Sequence, residues 1–280
     1  MATSIADSPW RTFWNRGGVW RAVLLAVVYL AIYLAAGLLA GTLFRDQLGD
    51  DDVFATPMSV FAGLTFALII GAIVLTAFLA SVRWFGPVFG PQPIGGRAWM
   101  WVIPVLVAVP IVLRLAGIDY ESYASGVVLV TLLSGLLIGF CEEVLCRGIV
   151  VKMLRDGGRS EWTVMAVSSL IFALLHSANL LAGMAPATVA LTIVYTFGFG
   201  ACMYLTLRVT GRLIWPIVLH GLFDPTLFLA TGGIDAESGE QTSSLLALAA
   251  PFNFVFIAAG LVALLVVRGR VQRVPEPQAA

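Results

Sequence analysis

The chain has 280 residues, of which 60% are hydrophobic and 11% charged, and its formal net charge is zero. A soluble domain is nearer 25% charged, so the composition excludes an ordinary water-soluble fold, and the absence of a basic cluster leaves nucleic acid unsupported as a partner. The length suffices for about eight apolar spans of ~20 residues, with no tract left over for a soluble domain.

In chain order, a polar lead over 1–19 precedes the first apolar run, Val19 to Phe44. That run is too long for a signal-peptide core and lacks an evident cleavage site, so it reads as a retained first helix. Apolar segments then follow at 20–44, 58–82, 99–116, 125–151, 162–182, 187–208, 212–231 and 245–267, each bounded by charges, Gly or Pro. The expected architecture is all-α and polytopic, with about eight transmembrane helices in one domain over 20–270. Its polar core falls at about 125–231, and 271–280 reads as a short polar tail.

The loops alternate in charge. One set carries Arg11, Arg16, Arg21, Arg83, Arg97, Lys152, Arg155, Arg159, Arg208, Arg212, Arg268, Arg270 and Arg273. The other has Arg45 as its basic residue and is otherwise acidic: Asp46, Asp50, Asp51, Asp52, Asp119, Glu121, Asp235, Glu237 and Glu240. By the positive-inside rule both termini are expected in the cytoplasm, with the protein multi-pass in the cell membrane. The eight tryptophans, Trp10, Trp14, Trp20, Trp84, Trp99, Trp101, Trp162 and Trp215, lie near the expected cytoplasmic helix ends and read as interfacial anchors. Cys141, Cys146 and Cys202 fall in apolar segments and read as buried small hydrophobes, not as a disulfide framework. Gly135 and Gly139 in the fourth segment, and Gly198 and Gly200 in the sixth, read as general close-packing positions.

What remains polar inside the apolar segments is Arg114, Glu142, Glu143, Arg147, His176, Asn179, His220, Asp224 and Asn253. Arg114, close to the outer end of the third segment, is expected to snorkel. A charge at a bilayer centre costs about 3 kcal/mol, so Glu142, Glu143, Arg147 and Asp224 must face one another or water. Glu143 and Arg147 are four residues apart and can pair, as can His220 and Asp224. Glu142 is turned about 100° from Glu143, so one carboxylate can be structural while the other faces a cavity. His176 and His220 are the chain's two histidines. A carboxylate with a His can activate water, and a second His can stabilise an oxyanion. The same side chains suit zinc, but no H-E-x-x-H helix is present; the spacing does not call for a metal, nor does it rule one out.

These residues carry a resemblance. Glu142-Glu143-Val-Leu-Cys-Arg147 fits EExxxR, Phe172-Ala-Leu-Leu-His176 fits FxxxH, and His220-Gly-Leu-Phe-Asp224 fits HxxxN/D. In this order, on successive membrane helices, they resemble the CPBP (CAAX protease and bacteriocin-processing, ABI) intramembrane endopeptidases, which include the type II CAAX prenyl endopeptidase. The resemblance implies a glutamic endopeptidase acting, near the cytoplasmic side, on a hydrophobic or lipid-attached peptide or protein. It implies Glu142 as general base, His176 holding the water, His220 and Asp224 lining the oxyanion site, and Glu143 and Arg147 as support, with no cofactor. The chain departs from the pattern at Cys146, where a bulky aromatic is common, and has the Asp variant at Asp224, whose charge would repel an oxyanion unless it is protonated or serves to orient His220. Three other readings stand beside it: a non-enzymatic immunity or scaffold protein that keeps the cavity, a zinc-dependent protease, and a proton-relaying transporter, although the broken-helix pairs of inverted repeats are absent. Oligomeric state is not legible.

Overall fold

The computed structural model describes residues 8–48, 53–231 and 243–271, and among these every regular element is helical. Among the described residues, eight helices are long and apolar enough to cross a membrane: Val19–Leu43, Pro57–Val82, Ala98–Gly117, Val127–Asp156, Glu161–Leu180, Pro186–Thr210, Ile214–Thr231 and Ser244–Val266, the first to eighth spans. The chain is a multi-pass membrane protein. Asp50, Asp51, Asp52, Asp235, Glu237, Glu240 and Arg273, and the tail beyond Val271, lie outside the described residues. Within the polar lead, Pro9–Asn15 forms a short helix.

Helix ends follow local chemistry. At the second span Pro57 occupies the first turn, where its missing N–H costs nothing, and Thr56 Oγ1 accepts the Ser59 N–H at 3.0 Å. The fifth span is capped by Ser160 Oγ, which accepts the Thr163 N–H. The sixth ends at Gly211, whose φ of 69° is the left-handed conformation that glycine adopts freely. The fourth span continues past the apolar run to Asp156, where Lys152 and Asp156 pair at 2.5 Å across one turn.

Large apolar side chains cover the outer surface: Leu38, Leu129, Leu191 and Phe254 are among the exposed ones. Polar and small residues turn inward, the distribution lipid requires. The fourth and seventh spans pack most extensively. A Cβ at Gly135 would strike Pro225 and the Gly221 carbonyl, and one at Gly139 would strike the Ile217 carbonyl and Gly221. These glycines therefore let two spans of one chain approach backbone to backbone. Gly198 does the same for the sixth span against Phe256 and Gly260 of the eighth. Thr65 and Ser134 share a hydrogen bond of 2.6 Å between the second and fourth spans.

A buried polar knot locks one end of the bundle. The Arg155 guanidinium donates through Nε and Nη2 to both oxygens of Glu161, at 2.8 and 2.7 Å, while Arg208 and the Tyr204 hydroxyl also reach Glu161 Oε2. Glu161 is wholly buried and sits in the first turn of its helix, where a negative charge is favoured. The knot ties together the fourth, fifth and sixth spans, and Arg208 extends it to the Gly95 carbonyl at 2.8 Å.

Two sequence expectations change here. Trp14 and Trp84 are not half-buried anchors: they are 5% and 3% exposed, and both pack edge-on against Phe78. The Trp84 indole N–H is satisfied internally, donating to Asn15 Oδ1 at 2.9 Å. Arg114 does not snorkel; it is 3% exposed and points inward, its Cζ 4.5 Å above the Phe223 ring. A long side chain near a helix end can reach either way, and here an aromatic face inside the bundle receives the cation. The three cysteines are free and buried, as expected.

Candidate active site

The fourth span changes winding where its carboxylates stand. It runs as α-helix from Val127 to Glu143 and then as a π-helical stretch over Val144–Val150, before returning to α-helix. Such bulges are frequent at functional sites, although the second span has one over Phe61–Thr65 away from these carboxylates. This departs from the uniform helix that the apolar run predicts. The offset of one residue keeps Arg147 near Glu143, with Nη1 3.2 Å from Oε1 and both side chains fully buried. The angle makes this a charge contact and not a hydrogen bond, and all three Arg147 nitrogens lack hydrogen-bond partners. The guanidinium is held instead over the Phe172 ring, Cζ 4.3 Å from its centroid, and beside Gly200. A Cβ at Gly200 would lie 2.8 Å from Arg147 Nη2. This gives one of the sixth-span glycines a specific task.

Glu142 and Glu143 diverge as a 100° rotation requires: the Glu143 side chain is 0% exposed and that of Glu142 is 27% exposed. They nonetheless meet the same imidazole. Glu143 Oε1 lies 2.8 Å from His220 Nδ1, and on the opposite edge of the ring Nε2 lies 3.3 Å from Asp224 Oδ2 and 3.6 Å from Glu142 Oε2. Glu143 is thus more than a partner for Arg147; it fixes the orientation of His220, a role that the spacing had pointed to for Asp224. His220 itself is 1% exposed and wedged edge-on against Phe172 and Phe199, at ring distances of 5.6 and 5.0 Å. Asp224, at 23%, shares with Glu142 the accessible side of the cluster.

His176 ends the fifth span's α-helix. There the winding tightens to a 3-10 turn over His176–Leu180, and the His176 N–H turns to the Ala173 and Leu174 carbonyls. The Phe172 carbonyl is left to accept from His176 Nδ1 at 3.1 Å. A carbonyl can only accept, so Nδ1 carries the proton and, in the neutral ring, Nε2 presents its lone pair. His176 and His220 both lie within electrostatic reach of Glu142. Glu142 Oε2, the oxygen nearest His220, is itself buried and makes no hydrogen bond within the protein, so the exposure of the Glu142 side chain lies elsewhere on it.

The structure therefore brings Glu142, Glu143, Arg147, His220 and Asp224 into one contact network, with His176 beside it. Sequence reasoning missed Phe199, which walls His220, and Arg114, which stacks on the residue next to Asp224. The only signal for Phe199 was its place between Gly198 and Gly200 in an aromatic-rich stretch. Among the described residues, no three His, Cys, Asp or Glu side chains are placed to hold a metal ion together.

The model of the type II CAAX prenyl endopeptidase Rce1-like family matches residues 124–226, which span the three motifs and agree with the CPBP resemblance. No curated protein and no solved structure matches the chain.

Proposed function

We propose that the protein is an intramembrane endopeptidase that hydrolyses a peptide bond with a water activated by Glu142. The observation that carries this reading is the convergence on His220 of carboxylates from two spans, one side sealed and the other accessible. A buried polar core built for stability alone needs no accessible carboxylate, and ionisable groups within a membrane mark function by default. The match to an endopeptidase family over the same residues supports it.

The proposed steps use these side chains as follows. Glu142 takes a proton from water, His176 Nε2 accepts a hydrogen bond from the O–H that remains, and the water oxygen attacks the peptide carbonyl carbon. The carbonyl oxygen becomes an oxyanion. In this cycle His220 carries a proton on each ring nitrogen, held at Nδ1 by Glu143, and Nε2–H donates to the oxyanion. The intermediate then collapses: the C–N bond breaks as the nitrogen takes the proton from Glu142, giving an amine and a carboxylic acid, and the acid releases its remaining proton to the regenerated Glu142 carboxylate. Arg147 compensates the Glu143 charge. No step is assigned to a metal, because Glu142 and the histidines supply both the base and the oxyanion donor.

The substrate class is a hydrophobic or lipid-attached peptide that enters from the bilayer. Eight crossings would bring both termini to one side; the basic loops support the cytoplasm as that side, and cleavage near the cytoplasmic face is part of the proposal. The test is purified protein in detergent against a fluorogenic peptide library, with His176→Ala alongside. Cleavage by the native chain and its loss in the variant support the reading; equal cleavage by both removes His176 from it.

A further inference from the structure

The third span brings to the site a charge that sequence reasoning had placed at the membrane surface. Arg114 is buried, stacks on Phe223, and its Nη1 has no hydrogen-bond partner. Phe223 directly precedes Asp224 in the seventh span, so the stacked guanidinium lies close to the Asp224 position, with the carboxylate within electrostatic reach but without a direct ion pair. A guanidinium does not give up its proton in proteins, so a buried one needs an answering charge. Asp224, 3.3 Å from His220 Nε2, has the converse problem. A carboxylate there puts negative charge beside the atom that would donate to an oxyanion, as an amide would not.

The charges then resolve into pairs. Arg147 answers Glu143 at 3.2 Å on the sealed side. Arg114, stacked on the residue that precedes Asp224, is the next cation, at longer range from Asp224 than an ion pair. Glu142 is left with the two histidines. The Phe223 ring accounts for where the guanidinium stacks, but it leaves Nη1 without a hydrogen-bond partner and the cation without an anion. A cation in the last turn of its helix is favoured by the helix dipole whether it points in or out, and snorkelling would have kept it wet.

We propose that Arg114 is a positioning residue whose charge offsets that of Asp224, holding the Asp224 carboxylate on His220 Nε2 and relieving its repulsion of the reaction oxyanion. The first effect does not depend on the endopeptidase reading; the second rests on it.

A double-mutant cycle on the full chain in detergent tests it, with Arg114→Met, Asp224→Asn and the two combined, read by melting temperature and by kcat. Arg114→Met is expected to lower the melting temperature by several degrees and kcat by about tenfold or more, with KM little changed. In the Asp224→Asn background the same substitution should move either quantity little, and Arg114→Lys should keep most of both. Equal losses in the two backgrounds would overturn the proposal and make Arg114 a packing residue. Should Arg114→Met fail to fold, recovery of folded protein in the combined variant supports the pairing, and failure of both overturns it. Should the native chain cleave no peptide, the endopeptidase reading falls, while the melting-temperature cycle still decides the charge pairing.

Discussion

Glu143 and His220 stand 77 residues apart in the chain and 2.8 Å apart in the fold. The contact exists because Gly139 lets the seventh span close on the fourth, and it makes one carboxylate answer to two cations, since Glu143 Oε1 also meets Arg147. Orientation of the imidazole and support of the helix thus rest on the same oxygen.

Removing that oxygen should therefore hurt twice. Glu143→Leu leaves Arg147 buried without its partner, and breaking one side of a buried pair costs about 3–5 kcal/mol. We expect a marked fall in melting temperature together with loss of turnover. Glu143→Gln, which keeps an acceptor for His220 Nδ1, should retain more of both. Differential scanning fluorimetry beside a peptide-cleavage assay checks it.

Gly200→Ala adds one methyl group against Arg147 Nη2 and the Phe172 ring. Overpacking of this kind costs typically about 1–3 kcal/mol. Because Phe172 also touches both histidines, kcat should fall beyond what the loss of folded protein explains. Gly37→Ala, where a Cβ would meet nothing, should be silent in both measurements.

The knot at Glu161 offers the opposite profile. Glu161→Gln leaves Arg155 and Arg208 short of a buried anion, at a cost of about 3–5 kcal/mol. None of its partners touches His220 or Glu142. Melting temperature should drop while kcat per folded molecule, measured well below the transition, stays near the native value.

The eight spans were legible in the sequence because lipid imposes a simple rule, a run of apolar residues long enough to cross, and the observed helices follow those runs closely. The i, i+4 pairs at Glu143 and Arg147, and at His220 and Asp224, were equally legible, because they depend on one helix each. What was hidden depends on helices meeting. Nothing local says that Glu143 also serves His220, that Gly200 makes room for Arg147, or that Arg114 turns toward Phe223. Trp14 and Trp84 look like six other interfacial indoles until Phe78 gathers them. The π-helical stretch after Glu143 leaves no signature in an apolar run.

Metal dependence is checked by chelation. If Glu142 and the histidines activate water by themselves, prolonged treatment with a strong zinc chelator should leave turnover unchanged and added zinc should not raise it. Loss of activity on chelation, restored by zinc, would move the protein to metal-assisted chemistry.

The central claim is that the accessible Glu142, not its buried neighbour, performs the chemistry. Glu142→Gln keeps the shape and removes the base, so turnover of a cleavable peptide by the purified, folded variant is the most direct measurement. The account predicts a fall of about a hundredfold or more at an unchanged melting temperature. Native-like turnover by that variant would contradict it.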